Sequence, residues 1–215
     1  MKHSSIARPY LFGMAVLGWF ALISQLYLNL SSGISPWPET LVRYFSYFTL
    51  DTNLLVALCC TVLLVKPDSK AGRFFSRAGT LTAITLYILV VGLVYNLILR
   101  SLWNPKGLQK WVDELLHSVI PLLFLIWWIN LVTKGTLTMR TILPWMIYPL
   151  GYAVFILIRG SLSGFYPYPF VDVTSLGLQG ALINALLLCA MFLLISLLFL
   201  GLDRLLSRAT GLQKI

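Results

Sequence analysis

Polar side chains open two of the most apolar stretches of this chain. The first stretch, YFTLDTNLLV, carries Thr49 and Asn53, and the second, DELLHSVIPLL, carries His117. A threonine hydroxyl becomes an effective nucleophile only beside a general base that takes its proton, and histidine is the side chain used most often for this purpose. A threonine and a histidine brought within hydrogen-bond reach would therefore be suited to acyl transfer.

The spacing within each stretch indicates which groups can act together. Thr49 and Asn53 are four residues apart and share one face of a helix, a face that Ser46 extends towards the N-terminus. Asp113 lies four residues before His117, so its carboxylate can orient the imidazole while the other ring nitrogen accepts a proton. The alternative interpretation is structural: hydroxyls that bond back to their own helix, and a histidine that joins two helices.

Metal binding and ion pairing are the other roles open to these charged residues. The segment Glu114–His117 resembles half of a carboxylate–histidine metal site, but such sites need a second Glu-x-x-His and further carboxylates. The chain has no second copy, and we expect neither a metal nor another cofactor. The acids can instead form structural ion pairs with Arg43, Arg100 or Arg159, and for Asp51 we favour such a pair over catalysis.

The elements that carry these residues are predicted to be membrane-spanning helices. Hydrophobic residues make up 59% of the chain and charged residues 11%, whereas a soluble domain usually has about 25% charged residues. Apolar runs of about 20 residues, enough to cross a bilayer, predict six spans near 10–30, 45–65, 79–99, 112–132, 141–158 and 177–202. The connections are short, so we predict an all-α bundle in which residues 1–215 form a single domain.

The basic residues indicate the orientation of this bundle. Of the 16 lysines and arginines, 11 fall on one side of the six predicted spans, which places both termini in the cytoplasm under the positive-inside rule. They do not cluster with aromatic residues on a soluble face, so we expect no nucleic-acid partner. The polar ends of the spans then lie near the outer leaflet, with Thr49 and His117 at similar depth. We expect a polar pocket that opens outward above an apolar inner half.

With these residues in view, the chain resembles the androgen-induced and androgen-dependent TFPI-regulating membrane proteins and their bacterial relatives. Members of that family have six spans, an F-x-T segment near the start of span two and an H-x-x-x-P segment that opens span four. The matching segments here are Tyr47–Val56 and Leu115–Leu123. The loop YPYPF, which follows Arg159 and Gly160, is similar to a loop of the bacterial members. The resemblance covers nearly the whole chain.

The resemblance implies a threonine hydrolase that cleaves esters between a fatty acid and a hydroxy fatty acid. Thr49 would be the nucleophile and His117 its partner. Animal members place Asn or Asp three residues after the threonine, whereas Asn53 follows Thr49 by four, so Thr52 stays a rival nucleophile. The expected partners are an ester lipid and the bilayer, and the expected location is a bacterial inner membrane with the site towards the extracytoplasmic side.

The remaining polar residues receive supporting roles in this hypothesis. Support for the catalytic pair or for an oxyanion is expected from three residues: Asn53, Asn96 and Asp113. Substrate binding, including a charge-assisted pair with a free carboxylate, is expected from four: Arg159, Arg100, Tyr166 and Tyr168. Two other classes stay open, namely a carrier that binds a lipid or small molecule without cleaving it, and a structural subunit of a larger complex.

Overall fold

The structure is a computed structural model that describes residues 6–209, which are mainly helical and include no strand. Six helical segments in this part of the chain are long and apolar enough to cross a membrane. They are Ala7–Ser31, Phe48–Val65, Ala78–Leu102, Leu108–Leu131, Met139–Ser163 and Val173–Arg208. The predicted all-α, six-span fold is thereby confirmed, and the chain is an integral membrane protein. The cytoplasmic placement of the termini stays a prediction, and two residues that enter it, Lys2 and Lys214, lie outside the described residues.

Several of these spans are built from more than one helical segment. The α-helices are α1 (Ala7–Ser31), α2 (Trp37–Tyr44), α3 (Phe48–Val65), α4 (Lys70–Phe75), α5 (Ala78–Val94), α6 (Leu108–Glu114), α7 (Ile120–Leu131), α8 (Ile142–Ser163) and α9 (Val173–Ala209). A π-helical turn, Tyr95–Leu99, continues α5, and a second, Leu115–Val119, joins α6 to α7. Short 3-10 turns cover Arg100–Leu102, Met139–Thr141 and Pro169–Val171.

The second span begins later than its hydrophobic pattern predicts. Tyr47 has an extended backbone (φ −91°, ψ 119°), and α3 starts at the next residue, Phe48. Ser46 therefore lies in the connection between α2 and α3, where it is fully buried. The prediction that Ser46 shares a helical face with Thr49 is wrong, because the helix does not reach back to it.

Contacts within the chain divide it into two compact units, one ending at Thr133 and one beginning at Lys134. In the first unit α1 packs along α3, and α5 packs against both α3 and α7. Gly18 permits the first of these approaches, because a Cβ at this position would lie 3.0 Å from the Cβ of Ala57. Small residues at such interfaces are typical of membrane helix packing. The single domain of residues 1–215 stays a prediction.

In the second unit α8 packs against α9, and the loop between them folds back on both helices. A Cβ at Gly160 would lie 2.0 Å from the ring of Tyr166, so only glycine lets this ring rest on α8. The side-chain amide of Asn184 donates a hydrogen bond to the carbonyl oxygen of Phe170 (2.9 Å) and fixes the loop to α9. Gly177 interrupts α9 with φ 68° and ψ 164°, at the residue where span six was predicted to begin.

Candidate functional site

A histidine lies among polar groups within the spans of the first unit. His117 occupies the π-helical turn between α6 and α7. Its Nδ1 lies 2.9 Å from the carbonyl oxygen of Asp113 and 3.4 Å from Oδ1 of the same residue. Because two oxygens face Nδ1, this nitrogen carries the proton of the neutral ring, a tautomer assigned from the hydrogen-bond network. Nε2 is then the proton acceptor, and it forms no hydrogen bond with any residue between 6 and 209.

The face of the imidazole is covered by an aromatic residue of the third span. The rings of Tyr95 and His117 are stacked, with centroids 4.0 Å apart and planes 18° from parallel. The phenol of Tyr95 also donates a hydrogen bond to Oδ2 of Asp113. Tyr95 is therefore joined to both members of the Asp113–His117 pair, although its sequence position suggested no role.

The two π-helical turns contact each other at this point. Asn96, in the turn of the third span, donates its side-chain amide to the carbonyl oxygens of Gly92 (2.8 Å) and His117 (3.2 Å). Gly92 makes the approach possible, since a Cβ there would lie 3.0 Å from the His117 carbonyl oxygen. π-helical turns occur frequently at functional sites, because the inserted residue redirects side chains and carbonyl groups.

Asn53 joins α3 to the same histidine-bearing turn. Its side-chain nitrogen donates to the carbonyl oxygen of Thr49 (2.8 Å) and to that of Leu116 (3.2 Å). The turn of α3 that contains Thr49 is thereby held next to the residue before His117. Both amide hydrogens of Asn53 are used in these bonds, and the same holds for Asn96, so the geometry favours the supporting role over oxyanion stabilisation for both.

Both candidate nucleophiles lie on α3 and are buried, Thr52 more completely than Thr49. Neither hydroxyl forms a hydrogen bond with the His117 ring in the part of the chain that the structure describes. Catalytic hydrogen bonds are often long in the absence of substrate and shorten in the enzyme–substrate complex. The structure therefore brings Thr49 and His117 to adjoining turns of two helices without joining their side chains.

Arg100, predicted to bind substrate, is already paired at the outer edge of this cluster. Its Nη2 lies 2.6 Å from both carboxylate oxygens of Glu114 and 3.3 Å from the hydroxyl of Ser118. Ser118 in turn donates to Glu114 (2.9 Å). The guanidinium of Arg100 also lies 5.5 Å from the ring centroid of Tyr95. Arg100 thus forms one edge of this polar cluster, and its side chain is partly exposed.

Asp51 does not take the arginine partner that the sequence favoured. Arg43 pairs instead with Glu39, one turn earlier on α2, at 2.8 Å. Asp51 forms no ion pair with any residue between 6 and 209. It lies in the first turn of α3, where the partial positive charge of a helix N-terminus stabilises a carboxylate. The predicted structural ion pair for Asp51 is therefore absent from the described residues.

The other predicted substrate-binding residues belong to the second unit. Arg159 is buried on α8, donates to the hydroxyl of Ser163 (2.8 Å) and lies with its guanidinium 4.8 Å from the ring centroid of Phe165. Tyr168 stacks on Phe170, with ring centroids 5.1 Å apart. Tyr166 rests on α8 as described above.

The donor set of the described residues does not suggest a metal. No group of three or more His, Cys, Asp and Glu side chains within residues 6–209 is arranged to hold an ion. Glu114, the acid of the Glu-x-x-His segment, is engaged by Arg100. The site is therefore composed of an oriented imidazole, a carboxylate, a phenol and amide groups, which together are suited to proton transfer.

These observations define a class, namely an integral membrane protein of apolar helices with an oriented histidine among its first four spans. Comparison of the chain with protein-family models, with curated proteins and with solved structures finds no match.

Proposed function

We propose that this protein is a membrane-embedded hydrolase of ester lipids, with Thr49 as nucleophile and His117 as general base. The observation that carries the proposal is the orientation of His117. Asp113 engages Nδ1 and leaves Nε2 as the proton acceptor, which is the arrangement that a general base requires. The hydrogen bonds of Asn53 hold the turn of Thr49 beside the turn of the histidine.

The proposed reaction has two acyl-transfer steps. Thr49 attacks the ester carbonyl carbon as its proton passes to Nε2 of His117, and the C–O bond to the leaving alcohol breaks as the imidazolium protonates the alkoxide. A water molecule then attacks the acyl-threonine, giving its proton to His117, and the threonine recovers a proton from the imidazolium. The products are a carboxylic acid and an alcohol, and the enzyme is regenerated.

The substrate class follows from the surroundings of the site and from the family resemblance. A lipid with apolar chains can enter an intramembrane site from the bilayer, and an ester of a fatty acid with a hydroxy fatty acid is the expected example. By the positive-inside bias, the site opens towards the extracytoplasmic face of a bacterial inner membrane. Arg100, the predicted substrate-binding arginine of the same unit, is already paired with Glu114, so a substrate carboxylate would have to compete with this ion pair.

A fluorophosphonate probe on membranes tests the two catalytic assignments. Labelling is expected in the wild type and should be lost in Thr49→Ala and in His117→Ala. Thr85→Ala is the matched control, because Thr85 is another buried threonine of the first unit whose hydroxyl donates to its own helix (2.7 Å to the Leu81 carbonyl oxygen). Loss of labelling in Thr52→Ala alone would identify Thr52 as the nucleophile. Unchanged labelling in all variants would refute the proposed hydrolase.

A lipid carrier is the second candidate, and one observation favours it. Neither Thr49 nor Thr52 is hydrogen-bonded to the His117 ring within the described residues, so the polar cluster can serve binding alone. Purified protein in liposomes distinguishes the two. A carrier exchanges labelled lipid across the vesicle membrane without forming product, whereas the hydrolase releases a fatty acid and an alcohol.

A further inference from the structure

Tyr95 contacts the proposed catalytic base and its carboxylate at the same time. We infer that Tyr95 is a positioning residue for His117, acting through the Asp113 carboxylate and through the plane of the imidazole ring. The kinetic consequence of this inference rests on the proposed hydrolase function, whereas its structural consequence for the imidazole does not. Tyr95 is assigned no contact with substrate.

The two oxygens of the Asp113 carboxylate have different partners. Oδ2 accepts the phenol hydrogen bond of Tyr95, and Oδ1 faces Nδ1 of His117 at 3.4 Å. Asp113 is buried, and a buried carboxylate is costly unless its oxygens are hydrogen-bonded. With Oδ2 fixed by the phenol, the carboxylate cannot rotate away from the imidazole. Its second oxygen therefore stays facing Nδ1, beside the main-chain carbonyl oxygen of Asp113, which lies 2.9 Å from the same nitrogen.

The stacked ring of Tyr95 restricts the plane of the His117 imidazole. Tyr95 and His117 lie 4.0 Å apart at 18°, so rotation of the imidazole about its own side-chain bond would break the stack. An aromatic face also stabilises a cation, and the imidazole becomes a cation when it accepts the proton of the nucleophile. Tyr95 thus fixes the ring orientation and favours the charged intermediate state.

The helical turn that carries Tyr95 is also joined to the main chain of His117. Tyr95 and Asn96 both belong to the π-helical turn of the third span, and Asn96 bonds to the backbone carbonyl of His117 at 3.2 Å. Consecutive residues of one turn therefore hold the ring and the main chain of His117. Arg100, which is anchored by Glu114, lies 5.5 Å from the Tyr95 ring centroid and supports it.

The structural consequence can be measured by nitrogen NMR on histidine-labelled protein. The chain has two histidines, so the background variant His3→Gln leaves the ring of His117 as the single labelled imidazole. We expect the Nδ1–H tautomer in this background and a mixture of both tautomers in Tyr95→Phe. Tyr44→Phe is the matched control, since it removes another buried phenol, whose hydrogen bond goes to the Leu22 carbonyl oxygen (2.8 Å); its spectrum should not change.

A second variant keeps this test decisive if Tyr95→Phe does not fold. Asp113→Asn retains the tyrosine and its stack but replaces the carboxylate, and we expect the same tautomer mixture. Spectra of Tyr95→Phe, or of Asp113→Asn in its place, that are identical to that of the background protein would overturn the inference.

The kinetic consequence is a loss in turnover without a loss in substrate binding. Tyr95→Phe should lower kcat about tenfold with KM unchanged, because misorientation of a base affects the chemical step. If Tyr95 acts through Asp113, the double variant with Asp113→Asn should be no slower than Asp113→Asn alone. Fully additive losses would contradict this pathway. A tautomer change in a protein without esterase activity would refute the hydrolase and leave the positioning role intact.

Discussion

Asp113 and Asp203 are both buried carboxylates on apolar helices, but their partners are of different kinds. Asp113, in the first unit, contacts an imidazole and a phenol. Asp203, on α9 of the second unit, accepts a hydrogen bond from the backbone N–H of Leu137 (3.1 Å), and its Oδ1 is buried with no hydrogen-bond partner in residues 6–209. Asp203 thus fixes the segment that leads into α8, whereas Asp113 is placed to influence a base.

The comparison shows that burial of a charge in a membrane protein does not identify a reactive site by itself. An ionisable residue in a span is a functional hypothesis by default, and the neighbouring groups decide between hypotheses. Near Asp203 the charged neighbour is Lys134, a buried lysine in the loop before α8. Burial lowers the pKa of Lys134 to about 8, against a smaller opposing effect of the Asp203 charge. This second cluster links a loop to a helix and contains no histidine among the described residues.

The largest expected difference between the two carboxylates is in activity. Asp113→Asn should lower ester hydrolysis by on the order of 100-fold, because the imidazole loses its orienting charge. Asp203→Asn should leave the rate per folded molecule unchanged within about twofold. Steady-state hydrolysis by purified protein checks both. Equal losses in the two variants would remove the distinction between the clusters.

For the free energy of unfolding we expect the reverse, namely that the carboxylate of Asp203 contributes more than that of Asp113. Asp203→Ala leaves the buried N–H of Leu137 without its acceptor, which should cost about 1–3 kcal/mol. The measurement is the thermal unfolding midpoint in detergent, with Asp203→Asn as a control that retains an oxygen acceptor. A midpoint unchanged in Asp203→Ala would show that this carboxylate does not anchor the loop.

A smaller loss of activity is expected when the contact between the two π-helical turns is widened. Gly92→Ala places a Cβ 3.0 Å from the His117 carbonyl oxygen and 3.2 Å from the Cβ of Pro121, so the turns must separate by a few tenths of an ångström. We expect a loss of about three- to tenfold in kcat, equivalent to roughly 1 kcal/mol. Gly79→Ala, on the same helix with no atom within 4 Å of the added Cβ, is the matched control. Full activity in Gly92→Ala would show that this spacing is unimportant.

The smallest effect is a pH dependence that belongs to the second cluster. Because the pKa of Lys134 is lowered to about 8 in the folded protein, the unfolded chain binds more protons between pH 8 and the ordinary lysine pKa near 10.5. Stability contributed by this group should therefore rise with pH across that window. Unfolding midpoints of wild type and Lys134→Met measured at pH 8, 9 and 10 check this, and equal slopes would contradict it.

The sequence predicted the spans well because long apolar runs have few alternatives in a bilayer. It also placed Asp113 one turn from His117, and Thr49 one turn from Asn53, because helical spacing brings such residues together. It did not predict the π-helical turns, since a single inserted residue leaves the hydrophobic pattern almost unchanged. Tyr95 was missed for that reason, although a tyrosine directly before Asn96 within an apolar run is a usable signal.

Other differences arose from competition between partners, which sequence spacing does not reveal. Arg100 was expected to bind substrate, but it forms an ion pair with Glu114 on the neighbouring span. Asp51 was expected to pair with an arginine, yet Arg43 pairs within its own helix with Glu39. The burial of Asp203 was not predicted, because Asp203 stands next to Arg204 at a span end. Its burial depends on the fold of the loop that contains Leu137.

The most direct test of the proposed function is mass spectrometry of the purified protein quenched during turnover of a fatty acid ester of a hydroxy fatty acid. We expect an acyl group on Thr49, assigned by fragment ions that separate it from Thr52. The adduct should be absent from Thr49→Ala and present in Thr85→Ala. Continued hydrolysis by Thr49→Ala, or an acyl group on a different residue of the wild type, would contradict the role of Thr49 as nucleophile.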